Sequence, residues 1–353
     1  MNWLVNFKMH NNSPKEIYEI LKNSKRPICC MDSRFDFDAL CSPLALREAL
    51  KKEFDTDLTI TNIDSLSRRT REVTQGIFDI SPVHENTPPE TIDFSEHDLL
   101  IVIDSGQLSH ISTDDNFQLK SDIKILNIDH HESNPYYGHY NYVKIYGAAC
   151  TVLYELLKEM GIKVDFEMAK YLLLGIITDN GFFQYNSTGA IDLRTSAELM
   201  DMGVNMYDYV WRLTFNEDFE DMKLMGLVYS NLKIDHKNRT AYSTLLLKDI
   251  NDRGIKLKET VYATADLIKK LKDVNYVFTV EEVSEGEDLF NISLRSHYKQ
   301  IDVSKIAVAL GGGGHKMASG VNIPAKTAEE AIAKIIETAE NLGLNTPIPE
   351  SSL

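Results

Sequence analysis

Positive charge is scarce in this 353-residue chain: 37 Lys and Arg stand against 53 Asp and Glu, for a formal net charge of −16. Binding along long nucleic acid draws its affinity from Lys and Arg neutralising many phosphates, so that function class is excluded, while a short anionic substrate gripped locally stays open. Long apolar runs are also missing. The longest, 99–103 and 171–177, fall far short of the roughly 20 residues that cross a bilayer, and no membrane partner is expected. Residues 1–14 lack a basic stretch leading into a sustained apolar one, so no signal peptide is read and a cytoplasmic location is expected. Cysteine is sparse: Cys29, Cys30, Cys41 and Cys150 show neither CxxC pairing nor the density of a disulfide framework, and all four are expected to be reduced and buried. What remains is ordinary globular material, 43% hydrophobic and 25% charged. At roughly 100–200 residues per domain, that length suggests two domains.

In the first half, short β-rich apolar runs at 27–31, 58–61, 99–103, 123–128 and 142–145 alternate with helical patterns. This alternation predicts an α/β fold with a doubly wound parallel sheet. Helices are predicted over 42–54, with Ser42 as cap and Pro43 in the first turn, over 150–160, and over about 166–178. Residues 195–233 read as further helix. Strand patterns at 241–247, 276–283 and 291–296, with a last helix from Thr327 introduced by a Thr327/Glu330 capping box, predict a smaller α+β second domain. The expected organisation is a first domain over 1–215, a helical connector over 216–238, a second domain over 239–345 and a loose tail over 346–353. A homodimer is compatible with the sequence, although no exposed apolar stripe reads out of it.

Three acidic or histidine motifs directly follow predicted strands: Asp32-Ser-Arg-Phe-Asp36-Phe-Asp38, Asp104, and Asp129-His130-His131. In an open α/β sheet the carboxyl ends of parallel strands line one edge, so these motifs should converge, joined by Asp179 at a helix end. A single Asp after a strand is ordinarily a turn former or helix cap. Several carboxylates packed together would repel or protonate unless divalent cations held them, and oxygen ligands with one or two imidazoles suit Mn²⁺ or Mg²⁺ better than Zn²⁺. On an extended segment the Asp36 and Asp38 carboxylates would point the same way, and on a tight loop each would take one metal, bridged by Asp104. Two ions about 3.5–4 Å apart share a hydroxide nucleophile and support in-line displacement at phosphorus.

The run Gly311-Gly312-Gly313-Gly314-His315 is the other strong feature. Consecutive glycines cost backbone entropy but let amides approach an anion closely, so a phosphate cradle is expected, with His315 as a donor and Arg295 as a bidentate grip. For Arg295 taken alone, an ion pair is the ordinary role. Phe182, Phe183 and Tyr185 suit core packing or base stacking.

These motifs, with DFDA at 36–39, VIDSG at 102–106, DHH at 129–131, TDNGFF at 178–183 and SLRS ahead of GGGGHKMASG, resemble the DHH phosphoesterase superfamily from about residue 27 to 342. More narrowly the chain is similar to the members that pair the DHH domain with its associated C-terminal domain, the nanoRNase/pAp phosphatase group. The resemblance implies a two-metal phosphohydrolase, usually Mn²⁺-dependent, with its active site in the cleft between the domains, acting on short oligonucleotides such as pApA or on pAp. It implies that Asp36 and Asp104 hold one metal and that Asp38, Asp104, His130 and Asp179 hold the other. Asp104 would bridge, His131 would contact the scissile phosphate, and Arg295, Gly311–Gly314 and His315 would hold the substrate's other end. Asp32 stands where the family carries histidine and is read as an oxygen ligand in its place. Two alternatives follow: a pyrophosphatase or exopolyphosphatase, and a non-catalytic nucleotide-binding regulator that lost turnover through Asp32.

Overall fold

The structure, a computed structural model, describes residues 10–347 except 34, 115–116, 120, 216, 257–263, 285, 297 and 299. The chain divides into two units, Met1–Asn216 and Glu217–Leu353.

In the first unit, six parallel strands run β1 (Pro27–Cys30), β2 (Thr59–Thr61), β3 (Val83–His84), β4 (Leu99–Ile103), β5 (Lys124–Asp129) and β6 (Tyr140–Val143). Their spatial order is β3-β2-β1-β4-β5-β6, so the winding direction reverses between β1 and β4. The helices are α1 (Pro14–Asn23), α2 (Phe37–Phe54), α3 (Arg68–Thr74), α4 (Ala149–Glu159), α5 (Phe166–Asp179), α6 (Ala190–Asp201) and α7 (Met206–Thr214).

The strands are apolar on both faces because both are covered. Leu99, Ile101 and Ile103 enter a large core with Leu40, Leu44, Leu153, Leu172 and Ile176. The alternate residues Leu100 and Val102 join Ile28, Cys30, Phe94, Ile111 and Ile125 in a smaller one. The four cysteines are free and buried, as expected.

One helix starts earlier than its sequence suggests. Ser42 and Pro43 imitate a helix start, but Asp36 is the N-cap, its Oδ1 accepting from the Asp38 and Ala39 amides, and Pro43 lies inside α2. A carboxylate that satisfies two orphan amides is the stronger start signal. It also rules out an extended Asp36–Asp38 segment.

The second unit opens with α8 (Phe219–Ser230), followed by β7 (Lys233–Asp235), β8 (Thr240–Leu245), α9 (Leu247–Asp252), α10 (Ala265–Ile268), β9 (Tyr276–Glu282), β10 (Leu289–Ser296), α11 (Ser304–Ala309), β11 (Gly313–His315), β12 (Ala318–Pro324) and α12 (Ala328–Asn341). The strands form one mixed sheet ordered β11-β12-β10-β9-β8-β7, in which only β8 and β9 run parallel. Residues 217–235, expected within a connector, are an integral part of this unit. Leu224, Leu227 and Val228 of α8 pack with Ala241, Leu245 and Val277 under one sheet face. Phe278, Ile292 and Leu294 pack with Ile332 and Ile335 of α12 on the other. Thr327 caps α12 by accepting from the Glu330 amide, while the Glu330 carboxylate accepts from the Lys326 amide rather than closing a reciprocal box. Of the expected loose tail, Thr346 is tied to Asn275 through its carbonyl, and 348–353 lie outside the described residues.

Candidate metal centre

The reversal of winding between β1 and β4 is where an open α/β sheet leaves a crevice beyond its strand ends. The loop after β1 supplies Asp32, Asp36 and Asp38. Asp104 directly follows β4, Asp129 ends β5 with His130 and His131 behind it, and α5 ends on Asp179.

Two sets of side chains come together there with ligand atoms within 4.8 Å of one another: Asp38, His130 and Asp179; and Asp104, His130 and His131. His130 is the member common to both. Its Nε2 lies 3.1 Å from Asp104 Oδ1 and 3.4 Å from Asp179 Oδ2, and its Nδ1 lies 3.1 Å from the Tyr146 carbonyl. A carbonyl can only accept, so Nδ1 carries a proton and Nε2 is the atom presented to the carboxylates.

Asp38 is fully buried yet satisfied, because its oxygens accept from the Ala149 amide at 2.5 Å and the Cys150 amide at 2.9 Å. These are the first amides of α4, whose N-cap, Ala148, has no side chain able to bond them. The carboxylate on α2 thus does the capping that the local sequence cannot. Close approach of α5 to this point requires Gly175: a Cβ there would lie 2.4 Å from Cys150 Sγ and 2.7 Å from Asp38 Oδ1. Asp104 sits at φ 59°, a left-handed conformation uncommon for a non-glycine residue, with its amide bonded to the Ile128 carbonyl. Backbone strain of this kind concentrates at functional sites.

The electrostatics are those of a buried, crowded acidic cluster. Burial, sharpened by neighbouring Asp38, pushes Asp104 well above the usual carboxylate range despite a hydrogen bond from His130. Burial also raises Asp38, and with the nearby Asp38 charge it pushes Asp179 up to about 8. His130 is penalised by burial, but its bond to Asp104 and the Asp179 and Asp38 charges hold it well above the ordinary imidazole value. No Lys or Arg among the described residues pairs with Asp38, Asp104 or Asp179. Three crowded carboxylates and an imidazole lone pair are a donor set suited to a hard or borderline divalent cation.

The other expected site residues divide. Asp129 is buried and outside the cluster. Burial works against its charge, but bonds from His131 Nδ1 at 2.7 Å and Asn134 Nδ2 at 2.5 Å hold it below the usual range. It thereby fixes the His131 ring, which is 43% exposed and so accessible to a ligand. Asp32 and Asp36, expected as ligands, belong to neither converging set. Asp36 is exposed and spends one oxygen on capping α2. Buried Asp32 accepts from Ser105 Oγ at 2.9 Å and lies 3.4 Å from His110 Nδ1. His110, sixth after Asp104 in a short 3₁₀ turn, had no signal in the sequence beyond its residue type.

In the second unit, Arg295 is already gripped. Its Nε and one terminal nitrogen donate to the two Asp266 oxygens, both at 3.0 Å, and its other terminal nitrogen donates to the Leu294 carbonyl. The glycine run is built into the fold. The amides of Gly311 and Gly312 donate to the Val308 and Ala307 carbonyls and close α11. Gly311 and Gly314 take φ of 88° and 132°, and a Cβ on Gly312 would lie 2.3 Å from the Gly320 carbonyl oxygen. These positions need glycine to close a helix and pack two strands, and Gly313 and Gly314 pair with Gly320 and Ser319 in the β11–β12 ladder. His315 ends β11 in register with Ala318, the residue that also pairs with Arg295. Its side chain lies outside the described residues. Phe182 and Phe183 take left-handed φ of 56° and 63° and pack on the large core, while Tyr185 is 51% exposed.

Comparison with known proteins agrees with this geometry. Residues 27–176 match the DHH family, N-terminal domain, and residues 248–341 match the DHHA1 domain. The bifunctional oligoribonuclease and PAP phosphatase NrnA of Bacillus subtilis is 28% identical over 252 residues, 68% of this chain and 74% of that protein. Its namesake in Thermus thermophilus is 28% identical over 214 residues, 60% of this chain and only 63% of that protein's length. The crystal structure of an exopolyphosphatase-related protein from Bacteroides fragilis superposes with a TM-score of 0.80 at 20% identity, over 94% of this chain and 97% of that one. With both domain matches present in order, the chain belongs to the DHH family, its DHH N-terminal domain followed by a DHHA1 domain.

Proposed function

We propose that this protein is a phosphohydrolase acting on very short oligonucleotides or on nucleotide phosphates such as pAp, with two divalent ions, Mn²⁺ ahead of Mg²⁺, as cofactors. The observation that carries this reading is the convergence of Asp38, Asp104 and Asp179 on the His130 Nε2 edge with no basic side chain among the described residues to balance them. The substrate class draws support from the NrnA relatives, and from a net charge of −16 that disfavours long polyanions.

Asp38, Asp104, His130 and Asp179 would hold the ions, with Asp104 shared, and Asp32 and Asp36 would complete the site from the loop after β1. Bound metal would supply an acidified water and neutralise charge developing on the phosphoryl oxygens. His131, its Nδ1 held by Asp129 and its side chain partly exposed, would have Nε2 left to contact a scissile phosphate. Arg295, Gly313, Gly314 and His315 are the proposed anion contacts of the second unit. An anion there would compete with Asp266 for the Arg295 fork.

The test is product analysis after incubation with pApA, pAp, cyclic di-AMP and pyrophosphate in Mn²⁺ and in Mg²⁺, with Asp32→His alongside. Release of AMP from pApA, or of orthophosphate from pAp, is the expected result. Cleavage of pyrophosphate alone would refute the substrate class. pAp binding without turnover, with activity appearing in Asp32→His, would make the native protein a nucleotide-binding regulator.

A further inference from the structure

Asp192 received no role from the sequence, and it lies outside the segment matched to the DHH N-terminal domain. It is the third residue of α6 and is fully buried. Its carboxylate collects donors only: the Gly147 amide at 3.1 and 3.2 Å, the Thr151 hydroxyl at 2.6 Å and the Gly189 amide at 2.8 Å.

The Gly147 contact connects it to the site. The Gly147 N–H and the Tyr146 C=O belong to one planar peptide unit, so holding one end orients the other. The Tyr146 carbonyl is the acceptor for His130 Nδ1. The sequence of contacts is therefore Asp192 carboxylate, Tyr146–Gly147 peptide, His130 ring and the Nε2 edge where Asp104 and Asp179 converge. Gly147 is tightly enclosed, since a Cβ there would stand 2.1 Å from Asn180 Oδ1 and 2.8 Å from Asp192 Oδ2. Any side chain at 147 would dislodge the peptide.

Helix capping alone accounts poorly for this residue. A neutral hydroxyl or amide caps a helix nearly as well, whereas a fully buried carboxylate carries a desolvation cost and adds negative charge near Asp179. Hydrogen bonds in series polarise one another, and an anion at the far end of a peptide makes its carbonyl a stronger acceptor.

We propose that Asp192 is a positioning residue for the metal centre, which through the Tyr146–Gly147 peptide orients the His130 ring and keeps the proton on Nδ1 so that Nε2 meets the cation. The proposal rests on His130 being a ligand, as put forward above.

Calorimetric titration with Mn²⁺, together with the metal-free thermal midpoint, tests it on the native protein, Asp192→Asn, Thr151→Val and His130→Ala. Asp192→Asn is expected to weaken Mn²⁺ binding about 10- to 100-fold, the range typical for partners of metal-bound histidines. Thr151→Val removes one bond from the same carboxylate without touching the peptide. It is expected to lower the midpoint while leaving Mn²⁺ affinity within threefold. Unchanged affinity in Asp192→Asn, or equal weakening in both variants, would reduce Asp192 to a helix cap and overturn the proposal. If Asp192→Asn does not fold, Asp192→Ser takes its place, and failure of both to fold would assign Asp192 to the fold instead. No Mn²⁺ binding by the native protein, or native affinity in His130→Ala, would refute the metal reading itself, independently of Asp192.

Discussion

Replacing Gly175 by alanine adds one methyl group where α5 passes the buried Asp38 carboxylate. The added Cβ would sit 2.4 Å from Cys150 Sγ, 2.7 Å from Asp38 Oδ1 and 3.2 Å from Asp38 Cα. Ordinary non-bonded separations there are about 3.5–4 Å, so the helices must part by roughly 1 Å. Overpacking of this kind costs about 1–3 kcal/mol, against which alanine regains about 0.5–1 kcal/mol of helix propensity. The expected net loss is about 1–2 kcal/mol, read as a shift of the urea midpoint at constant slope. Function should suffer more than stability, because a 1 Å displacement of a reacting or ligating group can cost about 100-fold in rate. Cys150→Ala removes the sulfur but not the Asp38 contact. The double variant Gly175→Ala/Cys150→Ala should therefore show a favourable coupling while staying below native turnover. Full activity and native stability in Gly175→Ala would refute the claim that helix approach at this glycine sets the position of Asp38.

Asp104→Ala should abolish turnover and the Mn²⁺-induced rise in thermal midpoint together; retention of either would remove Asp104 from its bridging place. Arg295→Ala is expected to raise KM for substrates with a second phosphate. It should also cost about 1–3 kcal/mol, since the carboxylate of Asp266, only a third exposed, loses its bidentate partner and keeps, among the described residues, Lys269; a midpoint shift with unchanged KM would leave the residue a purely structural ion pair. The metal-free protein should lose stability as pH rises. Asp179 titrates near 8 in the fold against about 3.9 in an unfolded chain, so its protonated form favours the fold and this contribution fades from pH 4 towards 8. His130, also raised, adds stability below about 6.5 that is lost as pH climbs through its folded value. Thermal midpoints between pH 5 and 9 in EDTA and in Mn²⁺ check this, and a flat metal-free profile would contradict the assigned environments.

The sheet was readable in the sequence because each central strand is apolar on both faces and ends at a polar residue with chemistry to offer. The runs at 99–103 and 123–128 became β4 and β5 nearly unchanged, and the motifs behind them, Asp104 and His130, are the residues that meet. What did not show in the sequence depended on distant partners. Ser42-Pro43 mimics a helix start, and only the two amide bonds at Asp36 show where α2 begins. Four glycines look like an anion cradle from either side of the argument, yet two of their amides are turned back into α11. Arg295 finds Asp266 across 29 residues, a pairing decided by how α10 lies on the sheet.

The parts of the site least visible in the sequence share one feature: the acting group is main chain. Asp38 is held by the amides of Ala149 and Cys150, and His130 by the carbonyl of Tyr146, so none of these neighbours is marked by its residue type. The residues that enforce those main-chain positions do carry a mark, because each is unusual where it stands. Gly175 interrupts an otherwise bulky apolar helix, Gly147 stands one residue before the Ala148 cap of α4, and Asp192 is a carboxylate buried without a basic partner among the described residues. Each breaks a local preference for helix formers or for exposed charge, and in each case the compensation lies in the placement of Asp38 or His130. If the cluster holds Mn²⁺ as proposed, the residues that violate local rules near it are its support, and the response of Mn²⁺ affinity to Asp192→Asn measures how far that support governs the ligands.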